Sequence, residues 1–506
     1  MVTVLLLFIV PLLAGVVMLA LKQKKHKVYC ALAVFLVALG WSIYMFFRPA
    51  SGVAVNFLGN YYLMCGLTVF SSVIAVFVNF FGLITCLYSK DYMEDKGGYF
   101  SCLVWLVGFS NLAVLSLDFI TFIFAWGSTL VLLYALLSLG SGASARKALS
   151  VLGLADFALM LGICLYIAAT GTTVMPQWSG VVLDTPLLWC SFIFMLIGAL
   201  AKAGCGPFHS WIPTAAESAP IPVMAILPAS LDKLLGIYFL ARICVDFFVM
   251  NHATMVILLV IGSLTILFAV LLALIQHDLR KLLSFHAISQ VGYMVLGFGT
   301  GTPLGIAGGI FHMVNHALYK TGLFLTGGAA AAQKNTFELN RLGNLARYMP
   351  LTFSAGLVFS LSISGVPPFN GFASKWLLYQ GTLVGMFNTS SLGLRSVFIF
   401  ALVSAMVGSA LTLASFIKFI HAIFLGQEKK QSKQKIVELK GAMLFALLVL
   451  AALCIILGII PRVFLSYCIS PYLGQTITTV GNWSSVFAAL FIGIGVLAGV
   501  WLWLRS

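Results

Sequence analysis

The sequence contains few charged residues and no extended polar segment. Of its 506 residues, 8% are charged and 61% are hydrophobic, whereas soluble domains carry about 25% charged residues. This scarcity of charge excludes an ordinary water-soluble domain for most of the chain. The few charged residues that remain stand out against an apolar background.

Clustered cysteines are also missing. The ten cysteines are scattered along the chain, and no two of them form a C-x-x-C pair. Iron–sulfur clusters and structural zinc ions need several thiolates close together. We therefore expect no cofactor and no catalytic residue on this chain, so that any redox chemistry coupled to it takes place on a partner.

The chain does contain a long series of apolar runs. A helix crosses a bilayer with about 20 apolar residues, and about fifteen segments reach roughly this length. They cover residues 2–21, 28–47, 66–88, 99–117, 120–139, 148–169, 187–208, 221–245, 253–276, 284–300, 304–328, 351–384, 396–425, 441–460 and 484–504. The first run lacks a small-residue cleavage site, so we expect a retained helix rather than a signal peptide. The sequence thus predicts an all-α, polytopic integral membrane protein of about 15 transmembrane helices in a lipid bilayer.

The net charge of +15 is distributed unevenly between alternate loops. If the N-terminus lies outside, the inner loops contain Lys22, Lys24, Lys25, Lys27, Lys90, Lys96, Arg146, Lys147, Arg280, Lys281, Lys334, Arg341, Arg347 and the basic run 429–440. The outer loops contain little more than Arg48, Arg242, Arg395 and Arg462. Basic residues accumulate in cytoplasmic loops. We therefore expect a multi-pass protein of the cell membrane with its N-terminus outside, and the charge needs no nucleic-acid partner to explain it.

Two apolar runs are interrupted by the same pattern of Gly, Pro and Phe. The segments "GCGPFHSW" at 204–211 and "GVPPFNGF" at 365–372 share the pattern G-x-x-P-F-x-x-[W/F]. Lys202 precedes the first break, and Lys375 follows the second. Interrupted hydrophobic segments at corresponding positions of two halves are typical of inverted-repeat transporters, whose ion sites lie near the middle of the membrane. The sequence therefore predicts two broken helices, each with a lysine beside the break.

Ionisable residues within the apolar runs are few. A charged group at bilayer depth costs several kcal/mol, so each such residue is a candidate functional residue. The candidates for ion translocation are Asp156, Lys202, Asp232, Lys233, His286, His312, His316, Lys320 and Lys375. Lys418 and His421 also fall within a run. They lie near the inner end of their helix, where a side chain that extends to the surface explains them equally well.

The segment "HMVNHALYK" at 312–320 places three candidates on one helix face. His312, His316 and Lys320 are spaced i, i+4 and i+8, and residues at this spacing share a face. A zinc site built from two histidines is the alternative, but no glutamate lies between them and Lys320 would repel a cation. A hydrogen-bonded proton path explains the pattern better, because histidine titrates near neutral pH. His286, at the start of the preceding helix, could extend this path.

With these residues in place, the chain resembles a family of antiporter-like membrane subunits. The family occurs in respiratory complex I, in energy-converting hydrogenases and in Mrp-type cation/proton antiporters. The resemblance lies in the segments "LAKAGCGPFHSWIPTAAESAPIPVMAILPASLDKLLGIYFLAR", "HDLRKLLSFHAISQVGYM", "GIFHMVNHALYKTGLFLTGG" and "SISGVPPFNGFASKW". The sequences of the segments "HMVNHALYK" and "GVPPFNGFASKW" look most similar to those of the hydrogenase-associated branch.

The resemblance implies two inverted five-helix repeats, each with one broken helix, joined by a polar axis. The repeats would cover 99–245 and 253–425, with N-terminal helices at 1–98 and C-terminal helices at 426–506. Lys202 matches the broken-helix lysine of the first repeat, and Lys375 matches the terminal lysine of the second. His312, His316 and Lys320 match the connecting relay. Lys233 lies one residue from the position of the family's bridging lysine.

One residue departs from the family pattern. Trp126 is followed by Gly127, where the family usually has a glutamate as counter-ion of the broken-helix lysine. We expect a second acid to replace it. Asp156 lies about nine residues, or roughly 14 Å, along its helix, at a depth similar to that of Lys202. Asp156 is therefore the favoured replacement, and Asp232 is the second candidate.

Three functions remain open at this point. The first is a proton- or sodium-translocating subunit of a complex I-like or hydrogenase-like oxidoreductase, with electron transport through iron–sulfur, nickel or flavin groups on other membrane and peripheral subunits. The second is a subunit of a multi-chain Mrp-type cation/proton antiporter. The third is a non-pumping membrane scaffold, which is disfavoured because a scaffold has no use for costly buried charges.

Overall fold

The structure, a computed structural model, describes residues 4–48, 53–58, 61–176, 180–427 and 436–477, with some positions between 484 and 495. Its α-helices are α1 (Leu6–Ala20), α2 (Lys24–Phe47), α3 (Val69–Tyr92), α4 (Tyr99–Leu115), α5 (Phe119–Ser138), α6 (Gly142–Thr170), α7 (Pro186–Ala203), α8 (Trp211–Ala216), α9 (Ile221–Ile226), α10 (Asp232–Ala241), α11 (His252–Leu274), α12 (Leu279–Gly299), α13 (Pro303–Lys334), α14 (Pro350–Ser364), α15 (Asn370–Asn388), α16 (Leu392–Ile420), α17 (Gly441–Ile459), α18 (Pro461–Phe464) and α19 (Ser470–Leu473). Within the described residues, ten helical segments are long and apolar enough to cross a membrane. The polytopic helical fold is thus confirmed. The predicted helix at 484–504 lies mostly outside the described residues, as do positions 428–435 of the basic run.

Four π-helical turns extend these helices. They lie at Leu227–Leu231, Arg242–Phe247, His421–Leu425 and Leu465–Ile469. The first turn joins α9 to α10 and the second extends α10, which gives one segment, Ile221–Phe247, that is buried throughout its apolar window. A π-helical turn inside an α-helix often marks a functional site, and the first of these turns ends beside Asp232.

A short β-hairpin between α2 and α3 departs from the purely helical expectation. β1 (Val53–Leu58) pairs antiparallel with β2 (Tyr61–Cys65). Both strands are rich in β-branched, aromatic or large apolar residues, which favour a pleated surface. Each of these two segments is too short to cross a membrane as a helix. The carboxylate of Asp118 accepts a hydrogen bond from Met64 N at 2.7 Å and also caps α5. The hairpin is thereby tied to the junction of α4 and α5 in the first predicted repeat.

The two predicted breaks are present and have the same geometry. α7 and α14 are each followed by a glycine in the left-handed region, Gly204 with φ 76° and Gly365 with φ 79°. In both cases the N–H groups of the glycine and of the next residue donate back to carbonyls of the last helical turn. Glycine adopts this conformation without strain, and other residues do not. The glycine of each "G-x-x-P-F" pattern therefore determines where its helix ends.

The same order of elements occurs twice along the chain. From residue 99, α4, α5 and α6 are followed by the broken pair α7–α8 and by α9–α10. From residue 252, α11, α12 and α13 are followed by the broken pair α14–α15 and by α16. The repeat boundaries at 99–245 and 253–425, and their inverted symmetry, stay a prediction.

Four helices form a row that connects the two halves. α10 contacts α7 on one side and α13 on the other, and α13 contacts α15. α13 has 32 residues, which corresponds to about 48 Å, so it is long enough to cross a bilayer without a break. The row α7–α10–α13–α15 positions the candidate residues described next.

The charge pattern places Arg242 in an outer loop, and this expectation is wrong. Arg242 forms a buried ion pair with Asp246, and its Nη1 donates to Tyr238 OH at 3.0 Å. The physical reason is the π-helical turn Arg242–Phe247, which keeps the backbone helical for another turn beyond α10.

Candidate functional site

Each helix of the row α7–α10–α13–α15 carries one buried lysine. The four are Lys202 on α7, Lys233 on α10, Lys320 on α13 and Lys375 on α15, and each is at most 1% exposed. A buried charge is stable only when it is paired or hydrogen-bonded. The surroundings of the four ammonium groups therefore decide what this row can do.

Lys202 contacts two neighbouring helices, α5 and α10. Its Nζ donates to Thr129 Oγ1 on α5 at 2.7 Å and lies 3.9 Å from Asp232 Oδ1 on α10. The ammonium also lies 5.2 Å from the ring centroid of Trp126, whose π face attracts a cation. Lys202 is thus placed between a carboxylate, a hydroxyl and an aromatic ring at the first break.

Asp156 contacts Lys202 indirectly, through the indole of Trp126. Its Oδ1 accepts a hydrogen bond from Trp126 Nε1 at 2.7 Å, whereas Asp232 is the carboxylate at ion-pair distance from Lys202. A depth along the helix axis does not determine the direction of a side chain, so the choice of counter-ion between the two acids stays a prediction. Asp156 instead holds the indole that Lys202 contacts.

Gly127 occupies the position where the family usually has a glutamate, and neighbouring atoms do not crowd it. A Cβ at Gly127 would meet no atom within 4 Å, so the backbone and neighbours leave room for a larger side chain. The absence of an acid at this position is therefore a property of the sequence and not a requirement of packing.

The centre of the row has unused hydrogen-bonding capacity. Within the part of the chain that the structure describes, Lys233 Nζ, Lys320 Nζ and both ring nitrogens of His316 are buried without a hydrogen-bond partner. A Cβ at Gly204 would lie 2.9 Å from Lys233 Nζ, so this ammonium lies against the first break. Lys233 lies on α10, whereas Lys320 and His316 lie on α13, and these two helices contact each other.

His312 is hydrogen-bonded on both ring nitrogens. Its Nδ1 lies 2.9 Å from Ser374 Oγ, and its Nε2 lies 3.1 Å from Gln290 Oε1. Ser374 directly precedes Lys375 on α15. An imidazole bonded on both sides can take up a proton on one nitrogen and release one from the other. His312 thus links α13 to the second lysine-bearing break.

His286 contacts two residues of α16. Its Nε2 lies 2.6 Å from Ser415 Oγ, and its ring centroid lies 4.8 Å from that of Phe416. The same Phe416 ring lies 5.6 Å from Lys320 Nζ. His286 and Lys320 therefore share one aromatic neighbour on α16.

Lys375 occupies the second break. Its Nζ donates to Ile363 O at 2.9 Å, a carbonyl in the last turn of α14, and lies 4.8 Å from the Tyr293 ring centroid. Helix ends leave their last carbonyls without intrahelical donors, so the broken helix supplies an acceptor for the ammonium. Lys375 is bonded to a backbone carbonyl, whereas Lys202 has a carboxylate beside it.

Five neutral side chains that contact the row were not predicted from the sequence. They are Thr129, Gln290, Tyr293, Ser374 and Ser415. Gln290 carries a recognisable signal, because it follows His286 by four residues and shares its helix face. Serine and threonine carry little signal, since their hydroxyls often bond to the backbone of their own helix.

Lys418 is a structural residue. Its Nζ donates to Leu274 O at 3.0 Å and to Gln276 O at 2.8 Å, where it caps the end of α11. His421 is exposed. Among the described residues, no group of three or more His, Cys, Asp or Glu side chains is arranged to hold a metal ion.

Known proteins share the central part of this sequence. The profile described as "NADH:quinone oxidoreductase/Mrp antiporter, TM" matches residues 116–399. The Na(+)/H(+) antiporter subunit A1 of Staphylococcus saprophyticus is 31% identical over 418 residues, which cover 77% of this chain and 52% of that protein. The chain therefore spans about half the length of this relative.

Solved structures share the fold. A chain of the Mrp complex from Dietzia sp. has a TM-score of 0.82 at 24% identity, with coverage of 94% of this chain and 97% of that chain. The archaeal membrane-bound sulfane sulfur reductase gives 0.85 at 22% identity, with 100% and 85% coverage. Respiratory complex I from Thermus thermophilus gives 0.77 at 20% identity, with 93% and 98% coverage. All three are described as membrane or respiratory complexes, so this fold occurs in multi-subunit assemblies.

Proposed function

Because the chain belongs to the NADH:quinone oxidoreductase/Mrp antiporter transmembrane family and is an antiporter-like membrane subunit, we propose that its lysine row translocates protons or sodium ions. The observation that carries the proposal is the row itself. Four lysines buried on four adjacent helices are expensive for a protein that has no use for them. Their burial on helices that contact one another suits stepwise transfer of a proton between neighbouring groups.

The charges suggest how the row works. Asp232 is the carboxylate beside Lys202 at the first break. Lys233 is the next residue after that acid. A proton that leaves Lys202 makes the carboxylate available to Lys233, because the field of one charge acts strongly on its neighbours in a low dielectric. Repulsion between Lys233 and Lys320 then favours proton release at the far side of α13. His316 and His312 would pass this proton toward Lys375.

The assembly that we propose first is an Mrp-type cation/proton antiporter. The support is the sequence identity to the antiporter subunit A1 over 77% of this chain. The partners would be other membrane subunits of that antiporter. Coupling to sodium would then take place without redox chemistry.

The second candidate is a redox-driven membrane complex. It is favoured by the segments "HMVNHALYK" and "GVPPFNGFASKW", whose sequences resemble those of the hydrogenase-associated branch of the family. In such a complex, iron–sulfur clusters, nickel or flavin on membrane and peripheral partners would carry the electrons. This chain would couple their transfer to ion movement.

One purification distinguishes the two assemblies. The complex is isolated through a tag on this chain, its visible absorbance is recorded, and it is reconstituted into vesicles with an internal pH-sensitive dye. A sodium gradient that changes the internal pH, in a preparation without flavin or iron–sulfur absorbance, supports the antiporter. Redox absorbance together with substrate-driven acidification supports the second candidate. A preparation that moves neither ion under either condition contradicts translocation itself.

We also propose that the N-terminus lies outside and that the protein resides in the cell membrane. The support is the concentration of basic residues in alternate loops, which is typical of cytoplasmic loops.

A further inference from the structure

A cavity rich in lysine lies between the start of α2 and the end of α3, and we call it the lysine cavity. Its volume is about 270 Å³, and its lining includes Lys24, Lys25, Val28, Tyr29, Lys90 and Asp91. We propose that the lysine cavity binds a phosphate group, carried by a phospholipid headgroup or present as free phosphate. The site lies outside the row α7–α10–α13–α15, so the proposal does not depend on which ion that row moves.

The lysine cavity carries an excess of positive charge. Three lysines line it, whereas Asp91 contributes one carboxylate. Two neighbouring acids are already paired with other lysines. Asp95 Oδ2 lies 2.6 Å from Lys27 Nζ, and Glu94 Oε2 lies 2.7 Å from Lys96 Nζ. Among the residues that the structure describes, the ammonium groups of the three cavity lysines form no ion pair and no hydrogen bond. A bound anion would balance their charge.

The three lysines come from two helices, so an anion between them would bridge α2 and α3. Lys24 and Lys25 lie in the first turn of α2, and Lys90 lies in the last turn of α3. Lys90 Nζ is 5.7 Å from the ring centroid of Tyr29 on α2, a contact that keeps this ammonium beside the first turns of α2. Lysine binds phosphate as a point charge, and a phosphate group offers several oxygens to several ammonium groups at once.

The position of the lysine cavity favours phosphate over other anions. α2 and α3 have 24 residues each, which corresponds to about 36 Å, and the hydrocarbon core of a bilayer is about 30 Å thick. The ends of both helices therefore reach the level of the lipid headgroups, where phosphate is the common anionic group. Basic pockets between transmembrane helices are typical binding sites for anionic headgroups.

The test measures how fast each lysine is acetylated by a water-soluble reagent, with the full chain or its complex in lipid nanodiscs. The conditions are phosphatidylcholine alone, phosphatidylcholine with phosphatidylglycerol, and phosphatidylcholine with inorganic phosphate in the buffer, all at one ionic strength. Early time points are analysed by peptide mass spectrometry. The reference is Lys22, which is exposed and lies two residues from Lys24 but outside the lining.

We expect the three cavity lysines to react several-fold more slowly when the anion is present, while Lys22 reacts at an unchanged rate. Slowing by phosphatidylglycerol supports a lipid headgroup, and slowing by inorganic phosphate supports a free phosphate. Lys90→Met should abolish the slowing at Lys24 and Lys25, because the anion then loses its contact with α3. Lys25→Gln is the second variant for the case that Lys90→Met does not assemble, and it should abolish the slowing at Lys24 and Lys90.

Three results would overturn the proposal. Rates at the cavity lysines that neither anion changes would show that no phosphate binds there. Equal slowing at Lys22 would show a general attraction of anions to a basic surface. Slow acetylation of the cavity lysines under every condition, also in Lys90→Met, would show that a segment of a partner covers the cavity instead.

Discussion

Lys202 Nζ lies 3.9 Å from Asp232 Oδ1, and the two side chains are at most 3% exposed. This pair joins the end of broken helix α7 to α10, so it connects the first break to the middle of the lysine row. Removing one partner of a buried ion pair leaves the other charge uncompensated, which typically costs about 3–5 kcal/mol. The pair is therefore the part of the row where a single substitution should have the largest effect.

Asp232→Asn should abolish most ion translocation and lower the thermal stability of the purified complex. The reason is that Lys202 loses its carboxylate while it stays buried. Translocation is measured with a pH-sensitive dye in vesicles, and stability by thermal unfolding in detergent. The double variant Lys202→Met with Asp232→Leu should recover stability, because apolar replacement of a buried pair is often neutral, but it should not recover translocation.

Asp156→Asn is the matched control for the first prediction. Because Asp156 acts through Trp126, its loss should reduce translocation less than the loss of Asp232. If Asp156→Asn proves the more damaging of the two, the assignment of Asp232 as counter-ion is wrong.

Gly127→Glu should be tolerated and should partly rescue Asp156→Asn. A Cβ at this position meets no atom within 4 Å, and the resemblance to the family places the counter-ion of the broken-helix lysine at this position. The comparison is the initial rate of ion transfer in the single and double variants at equal protein content. Gly127→Gln, which has a similar size and no charge, should give no rescue, and rescue by both would show that the effect is one of packing.

Lys320→Ala should impair translocation while the complex still assembles. Lys320 lies at the centre of the row without a described hydrogen-bond partner, so its removal leaves no broken bond to destabilise the fold. Lys418→Ala is the control, since Lys418 caps α11 and does not belong to the row. Translocation that is unchanged in Lys320→Ala would return His312, His316 and Lys320 to a structural role.

Ser374→Ala should slow translocation several-fold, and Ser374→Thr should retain most of it. The hydroxyl lies 2.9 Å from His312 Nδ1, and loss of a buried hydrogen-bond partner costs about 1–3 kcal/mol. Threonine preserves the hydroxyl, whereas alanine preserves only the volume. Equal rates in the two variants would show that this hydrogen bond has no part in proton transfer.

Lys433→Cys should react with a membrane-impermeant maleimide only after the membrane is opened. The basic run around this position faces the cytoplasm if the charge asymmetry sets the orientation. A cysteine in the segment 461–483 should react from the outside, and it serves as the paired position. Labelling of position 433 in intact cells would reverse the proposed orientation.

Much of this site can be predicted from the sequence, because charged and helix-breaking residues are unusual in a membrane helix. Lys202 and Lys375 stand beside glycine–proline breaks, and the spacing of His312, His316 and Lys320 places them on one face. The direction of Asp156 was not readable, since a hydrophobic run gives depth but does not reveal which helix a side chain meets. Arg242 shows the same limit. Its charge suggests a loop, while the structure pairs it inside a π-helical turn.

The π-helical turn Leu227–Leu231 has a consequence for how relatives of this chain are aligned. A π turn takes in about one residue more than an α turn, and each residue rotates a helix by about 100°. Gain or loss of one residue at this turn therefore changes the count along the chain, while Asp232 and Lys233 can keep their places against α7 and α13. Two homologues can thus disagree by one position in an alignment and still present their lysines at the same point in space. For this segment, correspondence between residues should be judged by superposition and not by counting.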